Sequence, residues 1–149
     1  MKKIIAAALG LSLALLSSAA FAEGPKVGVV VKIGGIPWFN AMEAGIKEQS
    51  KKLGVDGFMV GPTSADPALQ VRAIEDLIAQ KVDFIGVVPN DAKVLEPVLK
   101  KARDKGIVVL THESPDQQIG QWDIETIDSE KYAQANVDEL AKDMGGKGG

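Results

Sequence analysis

Four short, almost uninterrupted apolar runs recur along the chain, each followed by a longer amphipathic stretch. They are Val27-Gly28-Val29-Val30-Val31, Phe58-Met59-Val60, Phe84-Ile85-Gly86-Val87-Val88 and Ile107-Val108-Val109-Leu110; a weaker fifth, residues 124–127, follows Trp122. A strand with one wet face alternates apolar and polar residues, whereas a run without alternation has to be covered on both faces. Strands covered on both sides and separated by segments of helical length belong in a parallel sheet between two layers of helix. Few folds survive that requirement.

The intervening segments carry the helical period. Trp38, Met42, Ile46, Gln49 and Leu53 share one face of a segment opened by Pro37 and closed by Gly54. Leu69, Val71, Ile74, Leu77 and Ile78 line a second, with Asp66 placed to accept from free N–H groups and Pro67 at the first helical position. Val94, Leu95, Val98, Leu99 and Ala102 line a third, ending at Gly106. Pro97 removes a hydrogen bond from its interior, so its regular part is expected to start near Leu95 or Glu96. Tyr132, Val137, Leu140, Ala141 and Met144 line a fourth, capped by Asp128 or Ser129 and ended by Gly145-Gly146. The order β-α-β-α-β-α-β-(β)-α with right-handed crossovers gives an α/β three-layer sandwich: a parallel sheet with helices on both faces. Ligands of such sheets lie beyond the carboxyl ends of the strands. Function is therefore expected in the loops at residues 32–38, 61–66, 89–91 and 111–119.

The first 22 residues read differently. Met1-Lys2-Lys3 is a positive start, residues 4–16 are apolar and uncharged, and Ala20-Phe21-Ala22 is a small-x-small cleavage site. An apolar core of roughly 13 residues is too short to span a bilayer, so the segment is expected to be a secretory signal peptide cut after Ala22. The 17 basic residues less Lys2 and Lys3 leave 15 against 20 acidic ones, a mature chain of net charge −5. That acidity argues against nucleic-acid or polybasic membrane partners. With no Cys there is no disulfide, thiolate metal site, Cys nucleophile or acylated anchor. An exported chain without an anchor points to a periplasm, as a soluble monomer that does not span the membrane. The organisation expected is a signal peptide at 1–22, one domain at 23–144 and a Gly-rich, linker-like tail at 145–149.

The loops hold little for catalysis. No Gly-x-Gly-x-x-Gly follows a strand, no serine sits in a Gly-x-Ser-x-Gly elbow, and a single His with scattered carboxylates makes no metal site. His112, Glu113 and Ser114 are adjacent, so on an extended loop they point apart rather than relay a proton. No cofactor and no metal is expected. Binding is better served. Lys32, directly after the first apolar run, can donate to hydroxyls or to an oxyanion. Trp38 and Phe39 open the first helix at the same edge, and both are candidate ligand contacts through their flat faces; core packing is the alternative for either, and one of the two is expected to face the cleft. Asn90 and Asp91 follow the third run and His112-Glu113 the fourth, so three strand ends offer planar polar groups. Asn90 or Asp91 serves equally well as a helix cap, and capping is the preferred reading of Asp128.

Lys32-x-x-x-x-Pro37-Trp38-Phe39, Asp66-Pro67-x-x-Gln70 with residues 74–78, Lys81-Val82-Asp83, Pro89-Asn90-Asp91 and Lys100-Lys101-Ala102-Arg103-Asp104-Lys105-Gly106 together carry a family resemblance. The chain resembles the N-terminal lobe of the ribose-binding type of periplasmic sugar-binding proteins of ABC importers, the type I periplasmic binding protein fold. Within that family it is most similar to the autoinducer-2- and rhamnose-binding branch. The resemblance implies a non-enzymatic, two-lobed clamp that closes over one monosaccharide-like ligand or autoinducer-2 and delivers it to an ABC permease at the inner membrane. It implies that Lys32 contacts ligand, that Trp38-Phe39 match an aromatic pair near the first helix, and that Glu113 stands where the branch has an aspartate. It further implies that the second lobe is missing. A fragment is therefore expected, binding at least about 100-fold more weakly than a two-lobed protein, a loss of about 2.7 kcal/mol. A periplasmic sensor presenting a sugar to a chemoreceptor or histidine kinase is the alternative. An exported α/β hydrolase lacks its nucleophile, and a sugar-responsive DNA-binding repressor lacks its basic N-terminal helices.

Overall fold

A computed structural model describes residues 24–146; the expected signal peptide and the last three residues lie outside the described residues. In chain order the elements are β1 (Lys26–Val30), α1 (Pro37–Leu53), β2 (Asp56–Val60), α2 (Pro67–Ala79), β3 (Phe84–Val87), α3 (Ala92–Asp104), β4 (Val108–His112), β5 (Trp122–Ile124) and α4 (Ser129–Asp143). The strands form one sheet in the order β2-β1-β3-β4-β5, every neighbouring pair parallel. The α/β fold with helices on both faces is therefore as the sequence requires.

Strand parity sorts the core into two layers. Val30, Ile85, Val87 and Val109 point to one face, where α2 and α3 add Ile74, Leu77, Ile78, Leu95, Val98, Leu99 and Ala102. Val31 and Val88 point to the other, where α1 supplies Phe39, with Val29, Ile33, Met42 and Met59 packed around them. Fully burying such a side chain stabilises by about 1.5–3 kcal/mol, so the α2–α3 face carries most of the fold. Gly28 lets Leu77 lie flat on β1, since a Cβ there would sit 2.7 Å from Leu77 Cδ1.

Local signals set most boundaries. Pro37 opens α1 and Gly54 closes it at φ 67°. Asp66 accepts from the Ala68 N–H at 2.8 Å ahead of Pro67, and Asp128 accepts from the Lys131 N–H at 3.1 Å to start α4. Gly145 and Gly146, both at positive φ, follow it.

Four expectations need correction. The buried side of α1 is the stripe Phe39, Met42, Ile46 and Ser50, while Trp38, Gln49 and Leu53 are exposed. The shift arises because Phe39 fills the gap between Val31 and Val88, which rotates Trp38 outward. Helix α3 begins at Ala92, not near Leu95: Asp91 accepts from the Val94 N–H at 3.0 Å, and Pro97 sits inside the helix on its exposed side. The carbonyl that Pro97 leaves without its helical N–H belongs to Lys93, an exposed residue. Strand β4 runs on through Thr111 and His112, and β5 is Trp122–Ile124 rather than residues 124–127. The apolar stripe of α4 is not core: Tyr132, Val137, Leu140 and Met144 are all exposed and the helix buries no residue.

Candidate functional site

Parallel strands whose connecting helices leave for opposite faces separate at their carboxyl ends, and the crevice so formed is where open α/β sheets bind ligands. Here the parting lies between β1 and β3, adjacent in the sheet but not in sequence. Helix α1 leaves β1 for one face and α3 leaves β3 for the other. Lys32 and Asn90 stand on the two sides of that parting.

The structure joins them. Asn90 Nδ2 donates to the Lys32 carbonyl at 2.9 Å, and the Asn90 backbone N–H donates to Gln70 Oε1 at 2.7 Å. Lys32 Nζ reaches Glu113 Oε2, beyond the end of β4, at 2.9 Å. Both of these side chains remain about a third exposed (35% and 37%), so the pair itself adds little stability, roughly 0–1 kcal/mol. Glu113 also holds φ at 55°, the left-handed region, which costs a non-glycine residue about 1–2 kcal/mol. Glu113 thus presents its carboxylate to Lys32 from a backbone conformation that ordinarily favours glycine.

His112 closes the far side. Its Nδ1 donates to the Ile124 carbonyl at 2.5 Å, and Nε2 lies 3.9 Å from Glu113 Oε1. Beside it, Thr111 Oγ1 donates to Asp123 Oδ1 at 2.5 Å, while Asp123 Oδ2 is buried and has no hydrogen-bond partner among the described residues. Desolvation, and after it the neighbouring Asp123 carboxyl, pushes Glu125 above the usual carboxylate range. A groove of about 600 Å³ runs from Glu113 past Glu125 to Asp128 and Tyr132. Lys32, Trp38 and Asn90 are not among its walls.

Of the seven residues read from sequence, Lys32, Asn90, His112 and Glu113 are brought together by contact. Trp38 stands exposed at the start of α1, 54% accessible, where an aromatic face remains free to stack. Phe39, expected as a ligand contact, is instead 3% exposed in the core with Val31 and Val88, because its ring fills the space between those two side chains. Asp91 is the cap of α3. The residue missed is Gln70, fully buried, whose Nε2 donates to the carbonyls of Val31 (3.1 Å) and Val88 (2.8 Å). Its signal was a polar residue on the buried stripe of Ile74 and Leu77. Among the described residues no group of three or more His, Asp or Glu side chains could hold a metal. No helix among them is long and apolar enough to cross a membrane.

Residues 27–149 match the model of the periplasmic binding protein domain family. The D-ribose/D-allose-binding protein of Pseudomonas aeruginosa is 36% identical over 92 residues, 59% of this chain and 28% of that protein. An ABC transporter solute-binding protein from Clostridium phytofermentas, solved with bound L-rhamnose, superposes with a TM-score of 0.77 at 28% identity, over 84% of this chain and 39% of that one. A second solute-binding protein, from Burkholderia graminis in complex with D-arabinose, gives 0.76 at 31% identity, over 85% and 44%. The chain thus spans less than half the length of each of these relatives. A parallel sheet in this order, a polar cluster at its strand-end parting and a family match over most of the sequence agree: the chain belongs to the periplasmic binding protein domain family.

Proposed function

We propose that this protein is the solute-binding component of an ABC importer, taking up a monosaccharide-like ligand or autoinducer-2 in the periplasm and presenting it to an inner-membrane permease. The observation that carries the reading is the Lys32–Glu113 pair at the carboxyl edge, backed by Asn90. A sugar offers neighbouring hydroxyls that accept and donate at once. A lysine supplies only donors and a carboxylate only acceptors, so neighbouring hydroxyls lying across the open side of the pair can accept from the ammonium and donate to the carboxylate at once. Trp38 would cover the apolar face of the ring. The relatives named for D-ribose, D-allose, L-rhamnose and D-arabinose favour a pentose, hexose or deoxyhexose as ligand. Export through the N-terminal segment and cleavage after Ala22 belong to the same reading, as does a binding rather than catalytic role.

The test is thermal unfolding in the presence of D-ribose, D-allose, D-arabinose, L-rhamnose and autoinducer-2. A ligand at about ten times its Kd stabilises by roughly 1.4 kcal/mol, so one member of the panel raises Tm. In Lys32→Met and in Glu113→Gln that rise shrinks. An undiminished rise in both variants would remove the assigned site, and no rise with any member would remove the sugar reading.

A further inference from the structure

We propose that Gln70 is the positioning residue of the binding edge, fixing Asn90 and, through it, Lys32 at the point where β1 and β3 part; this rests on the polyol-binding reading above. The β1–β3 ladder ends with the Val88 N–H donating to the Val30 carbonyl at 2.9 Å. One step further the strands diverge, and the carbonyls of Val31 and Val88 accept from no backbone N–H among the described residues. Both residues are essentially inaccessible, at 0% and 1%. Two buried carbonyls facing one gap need two donors from a single neutral group, and a carboxamide supplies them. Gln70, one turn before Ile74 on the inner stripe of α2, does this with both hydrogens of Nε2.

Its remaining atom faces the site. Gln70 Oε1 holds the Asn90 backbone N–H at 2.7 Å, and the Asn90 side chain then holds the Lys32 carbonyl at 2.9 Å. The chain of hydrogen bonds runs from the sheet through one buried amide to the two residues that flank the crevice. The carboxamide oxygen of Asn90 takes no hydrogen bond among the described residues, so it is the acceptor this arrangement leaves aimed at solvent or ligand. A shorter Asn at position 70 spans less of the gap, a Glu sets a carboxylate against two carbonyl oxygens, and a Met fills the space while leaving every partner unpaired.

The experiment compares the parent with Gln70→Met, Gln70→Glu and, as a packing control on the same stripe, Ile74→Val. Affinities for D-ribose, D-arabinose and L-rhamnose are taken from NMR titration, and amide hydrogen exchange is followed at Asn90. Gln70→Met is expected to weaken the tightest of these sugars and to speed Asn90 exchange, each by about tenfold. Ile74→Val is expected to leave both within about twofold, because it removes one methyl and no hydrogen bond. In Gln70→Glu the affinity relative to parent is expected to fall from about pH 5 to pH 8, as a carboxylate buried against carbonyls ionises; taking the ratio cancels the pH effects that both proteins share, those of the neighbouring Lys32, Glu113 and His112 included. Parent-like affinity and Asn90 exchange in Gln70→Met would overturn the proposal. So would a Gln70→Glu profile parallel to the parent's, which decides the matter if Gln70→Met does not fold. If no sugar binds the parent, the polyol reading falls, and Asn90 exchange in Gln70→Met alone decides the positioning role.

Discussion

Trp38 and Phe39 are adjacent aromatics with opposite fates, and replacing each by alanine separates the core from the site. Phe39 is 3% exposed and packs with Val31 and Val88, ringed by Val29, Ile33, Met42 and Met59. Phe→Ala in a core costs about 3–5 kcal/mol, the spread reflecting how far the surroundings collapse. This cluster is small and borders an open apolar groove of about 300 Å³ lined by Val29, Met42 and Ile46, so collapse is easy. The expected cost is therefore near the lower end, about 3 kcal/mol, which for a domain of this size lowers Tm by about 10 °C. Trp38 is 54% exposed, and its removal is expected to cost at most about 1 kcal/mol of stability. It is expected to weaken sugar binding about tenfold through the lost ring face. Urea unfolding of both variants, with affinity measured well below the unfolding transition, gives the two numbers side by side. A Phe39→Ala protein with parent-like stability and no sugar binding would refute the division of labour between the two rings.

Three smaller perturbations test the backbone and the caps. Lys81 sits in the turn after α2 at φ 55°, so Lys81→Gly is expected to stabilise by about 1 kcal/mol in urea unfolding; a loss of stability would contradict the strain argument. Gly28→Ala drives a methyl against Leu77 at 2.7 Å and is expected to destabilise by about 1–3 kcal/mol, with Gly28→Ala/Leu77→Ala failing to add. The Lys131 side chain first, and its backbone N–H second, hold the Asp128 carboxyl below the usual range. A depressed carboxyl contributes its stability above its unfolded pKa and loses it as pH falls through the folded one. The first turn of α4 is thus expected to loosen under acid, seen as faster Lys131 amide opening, and Asp128→Ala is expected to remove that pH dependence; an unchanged pH profile in the variant would count against the cap.

The sheet was readable because unbroken apolar runs admit few environments, and the helix starts at Pro37, Asp66 and Asp128 because caps are local chemistry. The α1 face was misread by one residue. Periodicity alone accepts Trp38 or Phe39 as the first inward position, and only the space between Val31 and Val88 chooses. Pro97 misled because the rule against interior proline counts only the local cost of a lost hydrogen bond and a ring clash, while the Asp91 cap and the buried stripe of Leu95, Val98, Leu99 and Ala102 hold the helix through it. At the site, Lys32, Asn90 and Glu113 could be named from their places after strands, since strand ends of a parallel sheet share one edge. Gln70 could not be assigned a role, because its partners lie 18 to 39 residues away and meet only once β1 and β3 are neighbours. The stripe on α4 read as core and is exposed, because amphipathicity states that a face can be covered and not what covers it.

The central claim is that the crevice between β1 and β3 binds a sugar through Lys32, Asn90 and Glu113. An amide and side-chain NMR titration tests it most directly, because chemical shifts report both weak binding and its location. With D-ribose, D-arabinose or L-rhamnose raised to about 50 mM, enough to see a Kd near 10 mM, the account predicts saturable shifts at Lys32, the Trp38 indole, Asn90 and Glu113, with α4 and the amino ends of the strands silent. Saturable shifts confined to another surface, or none at all with any of the three, would contradict it.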